Sequence, residues 1–168
     1  MQTMKKPSAA GRASRVSPEG EGAVVVRPVR RNDLDAVVDI DATVTGLEKR
    51  KYWASVYRRY GSGERREQQF LVAETDGRVV GFVIGEVRDW EFGSPPCGWV
   101  FAIDVSPQAR QQGVASRLLQ AISDNFRRAG VKKLRTMLNI DNTLILSFFR
   151  SQGMMAGSLI ALEMDLED

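Results

Sequence analysis

The sequence predicts a mixed α/β domain with a mostly antiparallel sheet of six to seven strands and about four helices. Three features carry this expectation. Runs of strand length and runs of helical spacing alternate in the order β-α-α-β-β-β-α-β-α-β. Asp76-Gly77 between two β-favouring runs marks an antiparallel hairpin. The long helix between the fourth and fifth strands makes a βαβ crossover, which sets one parallel pair in the sheet.

Taken in order, residues 1–22 are rich in Lys, Ser, Ala, Gly and Pro and are expected to be a flexible tail, with residues 23–168 as one domain. Residues 23–28 read as a first strand. Asn32-Asp33 can cap a helix that turns Leu34, Val37, Val38 and Ile40 inward, and Gly46 closes it. A second helix over 48–60 carries Tyr52 or Trp53, Val56, Tyr57 and Tyr60 at helical spacing. Lys49, Arg50, Lys51, Arg58 and Arg59 interleave with these aromatics. Such a segment can serve a nucleic acid or another acidic partner, but the spacing favours an amphipathic helix with buried rings and solvated cations, which makes nucleic acid an improbable partner.

Residues 69–75 and 78–88 form the hairpin, and Gly81 and Gly85 predict a bulge or a close backbone approach. After the loop at 89–96, Val100, Phe101, Ile103 and Val105 give a fourth strand that Ser106-Pro107 stops. Val114, Leu118, Leu119, Ile122 and Phe126 then recur near helical spacing, with Gly130 as the closing residue. A fifth strand is expected over 132–138, a short helix over 142–150 ended by Gly153, and one or two final strands over 154–166, joined near Gly157.

Composition bounds the chemistry. The 168 residues are 43% hydrophobic and 27% charged, ordinary for a soluble globular domain. No apolar run approaches membrane-spanning length and no signal-peptide pattern opens the chain, so a cytoplasmic protein without a membrane partner is expected. The net charge of +3 is mostly the surplus of Lys5, Lys6, Arg12 and Arg15 over Glu19 and Glu21, which leaves the remainder nearly neutral. With one cysteine, Cys97, and no histidine, no metal site is expected, and acid–base work falls to carboxylates, Tyr, Lys, Cys or water.

The corner after the fourth strand has the makings of an anion site. Gly113, Ala115 and Ser116 lie in the first helical turn, where backbone N–H groups lack intrahelical partners and the helix dipole is positive, and Arg110 adds a full charge. A P-loop would need a Gly-Lys pair, which is absent, and the one G-x-G, at 61–63, follows no strand. What remains, R-Q-Q-G-V-A at 110–115, resembles the Q/R-x-x-G-x-G/A signature of the GNAT superfamily of N-acetyltransferases. The segment N-T-L-I-L-S-F-F-R-S-Q-G-M at 142–154 is similar to a second segment of that family, with Asn142, Phe148, Gly153 and Met154 in place.

The resemblance covers residues 23–166 and implies the GNAT fold, with splayed fourth and fifth strands. It implies acetyl-CoA as donor, a primary amine of a small molecule or peptide as acceptor, and direct transfer in a ternary complex; a homodimer is common in the family. The amides of Gln111, Gln112, Gly113, Val114, Ala115 and Ser116, with Arg110, would hold the pyrophosphate. Ile103 and Val105 would meet the pantetheine arm, and Asn142, Phe148 and Phe149 the thioester side. Read from the residues alone, Ile103, Val105 and the Phe pair serve equally as core, and Asn142 as a helix cap.

Catalytic groups are harder to carry over. Phe149 stands where the family commonly has a Tyr that is thought to protonate the leaving thiolate, and Met137 and Cys97 stand where members have a Glu. Glu86, ending the third strand, is the leading expected base, with Glu91 or Asp104 acting through water as alternatives. Trp90 and Phe92 are expected to wall the acceptor pocket, and Cys97 to be structural. Without a strong base, an α-amine is the easier acceptor, because at neutral pH about one in 6–10 is unprotonated against roughly one Lys amine in 2,500. The same residues admit a second reading, a GNAT-fold CoA-binding module with weak catalysis that acts as a sensor or interaction partner.

Overall fold

The computed structural model describes residues 22–63 and 65–166; the expected tail, apart from Gly22, lies outside them. The elements are β1 (Val25–Pro28), α1 (Leu34–Thr45), α2 (Arg50–Tyr60), β2 (Gln68–Thr75), β3 (Arg78–Arg88), β4 (Cys97–Val105), α3 (Val114–Arg128), β5 (Leu134–Arg135) and α4 (Thr143–Ser151). The strands form one sheet in sequential order, antiparallel except for the β4–β5 pair.

Two cores lie on opposite faces of this sheet. The stripe Val114, Leu118, Leu119, Ile122 and Phe126 of α3 packs with Leu71, Val83 and Val100 on one face. Leu118, Ile122 and Phe126 are almost wholly withdrawn from water, and each such side chain contributes about 1.5–3 kcal/mol. On the other face Val37, Val38 and Ile40 of α1 and Trp53, Val56 and Tyr60 of α2 cover Phe70, Val72, Phe82 and Ile84. The α2 aromatics are therefore core. Of its cations, Lys49 pairs with Asp41 and Arg50 with Asp35 and Glu48.

Turn chemistry matches the sequence expectation at the hairpin, where Asp76 and Gly77 both have positive φ, 50° and 74°. Gly81 and Gly85 allow close strand approach: a Cβ would come within 2.9 Å of Asp104 O at the first and 2.5 Å of Trp99 O at the second. Asp33 does not cap α1. Its carboxylate instead accepts from Arg30 N–H at 2.6 Å and from the Arg27 guanidinium.

Among the described residues the sheet has five strands rather than the expected six to seven. The reason begins at Phe101. Ile84 pairs with Ala102 and Gly85 with Val100, so Phe101 is an extra residue that bulges out of β4. Only Gly98 and Trp99, before the bulge, meet β5, and the fifth strand shrinks from 132–138 to Leu134–Arg135. Residues 155–166 run exposed beyond α4, with no strand formed among them.

Candidate active site

The splay of β4 from β5 opens the site. After Trp99↔Arg135 the last tie between them is the Thr136 hydroxyl, which donates to Val100 O at 2.8 Å. Past it, Phe101 to Val105 have no strand neighbour on the β5 side among the described residues, and a cavity of about 880 Å³ opens there. Its walls come from that end of β4, the turn into α3, residues 136–139, α4, and the facing side of α1 and α2. The structure thus brings together Ile103, Val105, Arg110, Gln111, Gly113, Val114, Ala115, Ser116, Asn142, Phe148 and Phe149 around one space.

The turn after β4 is shaped for an anion. Ser106 N–H donates to Val80 O at 2.8 Å, and a single 3₁₀ turn over Pro107–Ala109 follows. Gln111 and Gly113 then take positive φ, 66° and 75°, and Gly113 becomes the N-cap of α3. Arg117 N–H closes the first helical turn on Gly113 O at 3.0 Å, leaving the amides of Val114, Ala115 and Ser116 as the helix's orphan donors. The amides of Gln111, Gln112 and Gly113 form no hydrogen bond either among the described residues. Six consecutive N–H groups are therefore free at a positive helix end, with the Arg110 side chain beside them, its Nε 3.4 Å from Val105 O. A Cβ on Gly113 would meet nothing within 4 Å, so glycine is needed there for its backbone conformation and not for space.

The thioester side is apolar. Phe148 and Phe149 pack with ring centroids 5.1 Å apart, and Phe149 is buried. Asn142 caps α4, its Oδ1 accepting from Ile145 N–H at 3.2 Å, and it also lines the cavity. Met137 lies on the cavity wall, exposed. Cys97 is buried outside it, its sulfur 3.4 Å from Arg135 Nη1.

Across the cavity sits a polar cluster whose central member, Asp41, sequence reasoning missed. Asp41 is 4% exposed and accepts from the Trp53 indole N–H at 2.8 Å and from Lys49 Nζ at 3.1 Å. Asp104, on the same face of the sheet, lines the cavity with these three. Burial first, and then the Asp41 charge, push the Asp104 carboxyl up to about 6, against the pull of Arg110 and Lys49. One signal was available: Asp41 stands three and four residues after Val38 and Val37, on the buried stripe of α1.

The other expected residues lie elsewhere. Glu86 accepts from the Tyr60 hydroxyl at 2.8 Å and from Arg88 Nε at 3.1 Å. Burial and this bond raise the Tyr60 phenol to about 12. Glu86 pairs opposite Trp99 while Asp104 pairs opposite Phe82, which sets the two positions four residues apart along β3, roughly 13 Å of backbone. Trp90 and Phe92 project into solvent, 67% and 111% exposed, and are not among the cavity residues. Gln112 turns its side-chain amide back to Gln108 O at 3.2 Å. Among the described residues no His/Cys/Asp/Glu group could hold a metal, and no helix is long and apolar enough to cross a membrane.

Comparison with known proteins gives the following. The profile of the acetyltransferase (GNAT) family matches residues 35–154. An L-2,4-diaminobutyric acid acetyltransferase of Nocardia farcinica is 39% identical over 79 residues, 47% of this chain and 39% of that protein. An uncharacterized N-acetyltransferase of Methanocaldococcus jannaschii is 28% identical over 131 residues, 77% of each chain. Among solved structures, the aminoglycoside N-acetyltransferase AAC(6')-Iy in complex with CoA superposes with a TM-score of 0.76 at 18% identity, covering 90% of this chain and 99% of that one.

Proposed function

This chain belongs to the acetyltransferase (GNAT) family, and we propose that it moves an acetyl group from acetyl-CoA to a primary amine by direct attack within a ternary complex. The observation that carries the reading is the run of six free amides from Gln111 to Ser116 beside Arg110, opening into a cavity large enough for a second reactant. Those amides suit a pyrophosphate, because each offers an N–H to an anion without giving up another bond. Ile103 and Val105, on the unpaired flank of β4, leave backbone groups for an extended amide-bearing arm. Phe148 and Phe149 provide a dry wall for a thioester.

Acetyl-CoA supplies the acetyl group as a thioester, which an unprotonated amine can attack, forming the C–N bond as the C–S bond breaks. The chain's part is to bind both reactants, exclude water and accept the amine proton. For the last role we propose Asp104 ahead of Glu86. Asp104 faces the cavity, and with its carboxyl near 6 it is about nine-tenths ionised at neutral pH. Glu86 is held by Tyr60 and Arg88 away from the lining. Phe149 has no hydroxyl to offer the departing sulfur, but a thiol is acidic enough to leave as thiolate and take its proton from water.

Asp104 also favours an acceptor that carries a further cationic group beside the reacting amine, in keeping with a relative named for diaminobutyric acid and a structural neighbour named for an aminoglycoside. The test is thiol release from acetyl-CoA across diamines, amino sugars and peptide α-amines. Turnover on at least one class is expected. Calorimetric binding of acetyl-CoA with no turnover on any would replace this reading with the CoA-binding module, and no binding would end both.

A further inference from the structure

The cavity has a second charged end, opposite the turn that suits a pyrophosphate. Among the described residues around it the cations are Lys49 and Arg110 and the anions Asp41 and Asp104. Arg110 stands with the six free amides, which leaves Lys49 as the cation on the α1–α2 side. Asp41 is closed to a ligand. Its side chain is 5% exposed against 36% for Lys49, and its oxygens already accept from the Trp53 indole and from Lys49 itself. What a molecule in the cavity meets of this pair is therefore the lysine.

Lys49 is held in place. Trp53 N–H donates to Lys49 O at 3.0 Å, which fixes the lysine backbone at the entry of α2. Its Nζ donates to Asp41 at 3.1 Å and lies 5.6 Å from the centroid of the Tyr52 ring. An ammonium carries three donors, of which Asp41 takes at most two, and no other acceptor meets Nζ among the described residues. A donor thus remains for a ligand, and a cation already ordered loses little freedom on binding one. Val44 and Tyr52, 47 and 48% exposed, add apolar surface on the same wall for an aliphatic side chain.

We propose that Lys49 is a specificity-determining residue that holds a carboxylate of the acceptor while the reacting amine faces Asp104, so the acceptor class narrows from primary amines to amino acids. Asp41 is then a positioning residue: buried, it aims the lysine into the cavity. The inference rests on the acetyl-transfer reading above for what the cavity holds. A lysine that only neutralised Asp41 would be indifferent to whether the acceptor carries a carboxylate.

Thiol release from acetyl-CoA is measured with diamino acids from diaminopropionic acid to free lysine, each against its own carboxamide. The proteins compared are the unaltered chain, Lys49→Met, Lys49→Arg and the double variant Asp41→Asn, Lys49→Met. The double variant leaves no unpaired buried charge and keeps an oxygen for the Trp53 indole, so it decides if Lys49→Met fails to fold by circular dichroism. The acid-to-amide ratio of kcat/KM should fall at least about tenfold in both methionine variants, through KM rather than kcat, and be largely kept by Lys49→Arg. Comparing this ratio between proteins cancels the different basicity of acid and amide amines. An unchanged ratio, or an unaltered chain that prefers the amides, would overturn the role of Lys49 and leave acetyl transfer standing. If no acceptor turns over, calorimetry of the same diamino acids into the CoA-saturated protein decides. Binding that both methionine variants abolish keeps the carboxylate site and ends the transfer reading, and no such binding ends both.

Discussion

The indole N–H of Trp53 donates to Asp41 at 2.8 Å, with the two residues 2% and 4% exposed. This bond joins α1 to α2 at the floor of the cavity, and Lys49 completes it from the helix entry. Asp41→Ala would leave a buried indole N–H unpaired and a cation without its partner. We expect a loss of about 2–4 kcal/mol, seen as a fall in thermal midpoint of roughly 5–12 °C. Trp53→Phe keeps the ion pair and should cost less, about 1–3 kcal/mol.

Asp104 sets a pH dependence of unusual sign. Its carboxyl is raised to about 6 in the folded chain, against about 3.9 when unfolded. The folded state therefore holds the proton more tightly, and stability from this group is present below about pH 4 and lost as pH rises through 6. The ceiling is about 3 kcal/mol, and solvent screening of a partly exposed carboxylate reduces it. Asp104→Asn should flatten that descent in unfolding free energy measured from pH 4 to 7. In turnover the sign reverses: the rate should climb through about pH 6 as the base ionises. The climb should vanish in Asp104→Asn and survive in Glu86→Gln. Asp41→Asn removes one of the charges that raise Asp104 and should move the climb to lower pH; an unmoved climb would detach Asp104 from the chemistry.

What the sequence revealed and what it hid divide along local and long-range physics. The buried stripe of α3, the Asp76-Gly77 turn and the helix start near Gly113 depend on residues within a few positions of one another, and each was legible. The length of β5 was not, because it depends on a bulge at Phe101 in a different strand. The Asp41, Lys49 and Trp53 cluster joins side chains of separate segments: helical spacing marks Asp41 as inward-facing, but not the partners it meets. Residues 154–166, expected as one or two strands, form none, because a strand's pattern does not by itself supply the neighbouring edge that a strand requires.

Arg27 clamps the start of the domain. Its guanidinium donates to both oxygens of Asp33, at 2.7 and 3.0 Å, and through Nε to Glu74 at 2.8 Å, tying β1 to the entry of α1 and to β2. Burial alone would raise the Asp33 carboxyl, but the bonds from Arg27 and Arg30 hold it below its usual range. That stabilisation is present above the unfolded value near 3.9 and is lost as pH falls through the lower folded value. Arg27→Met should cost about 2–4 kcal/mol at neutral pH and shrink the acid-induced loss of stability measured by urea titration.

Gly113 offers a way to separate backbone strain from ligand binding. Its φ of 75° lies in the left-handed region, with no atom within 4 Å of where a Cβ would stand, so Gly113→Ala adds strain of about 1–2 kcal/mol and no clash. Gly130, after α3, has nearly the same condition, a φ of 86° and open space, but lies at the far end of that helix. Both alanine variants should lower the thermal midpoint by a similar few degrees. Only Gly113→Ala should also turn the amides of 111–116 out of register and weaken acetyl-CoA binding, by about tenfold or more if one or two charge-assisted bonds are lost. Equal affinity in the two variants, measured by calorimetry, would move the pyrophosphate away from this turn.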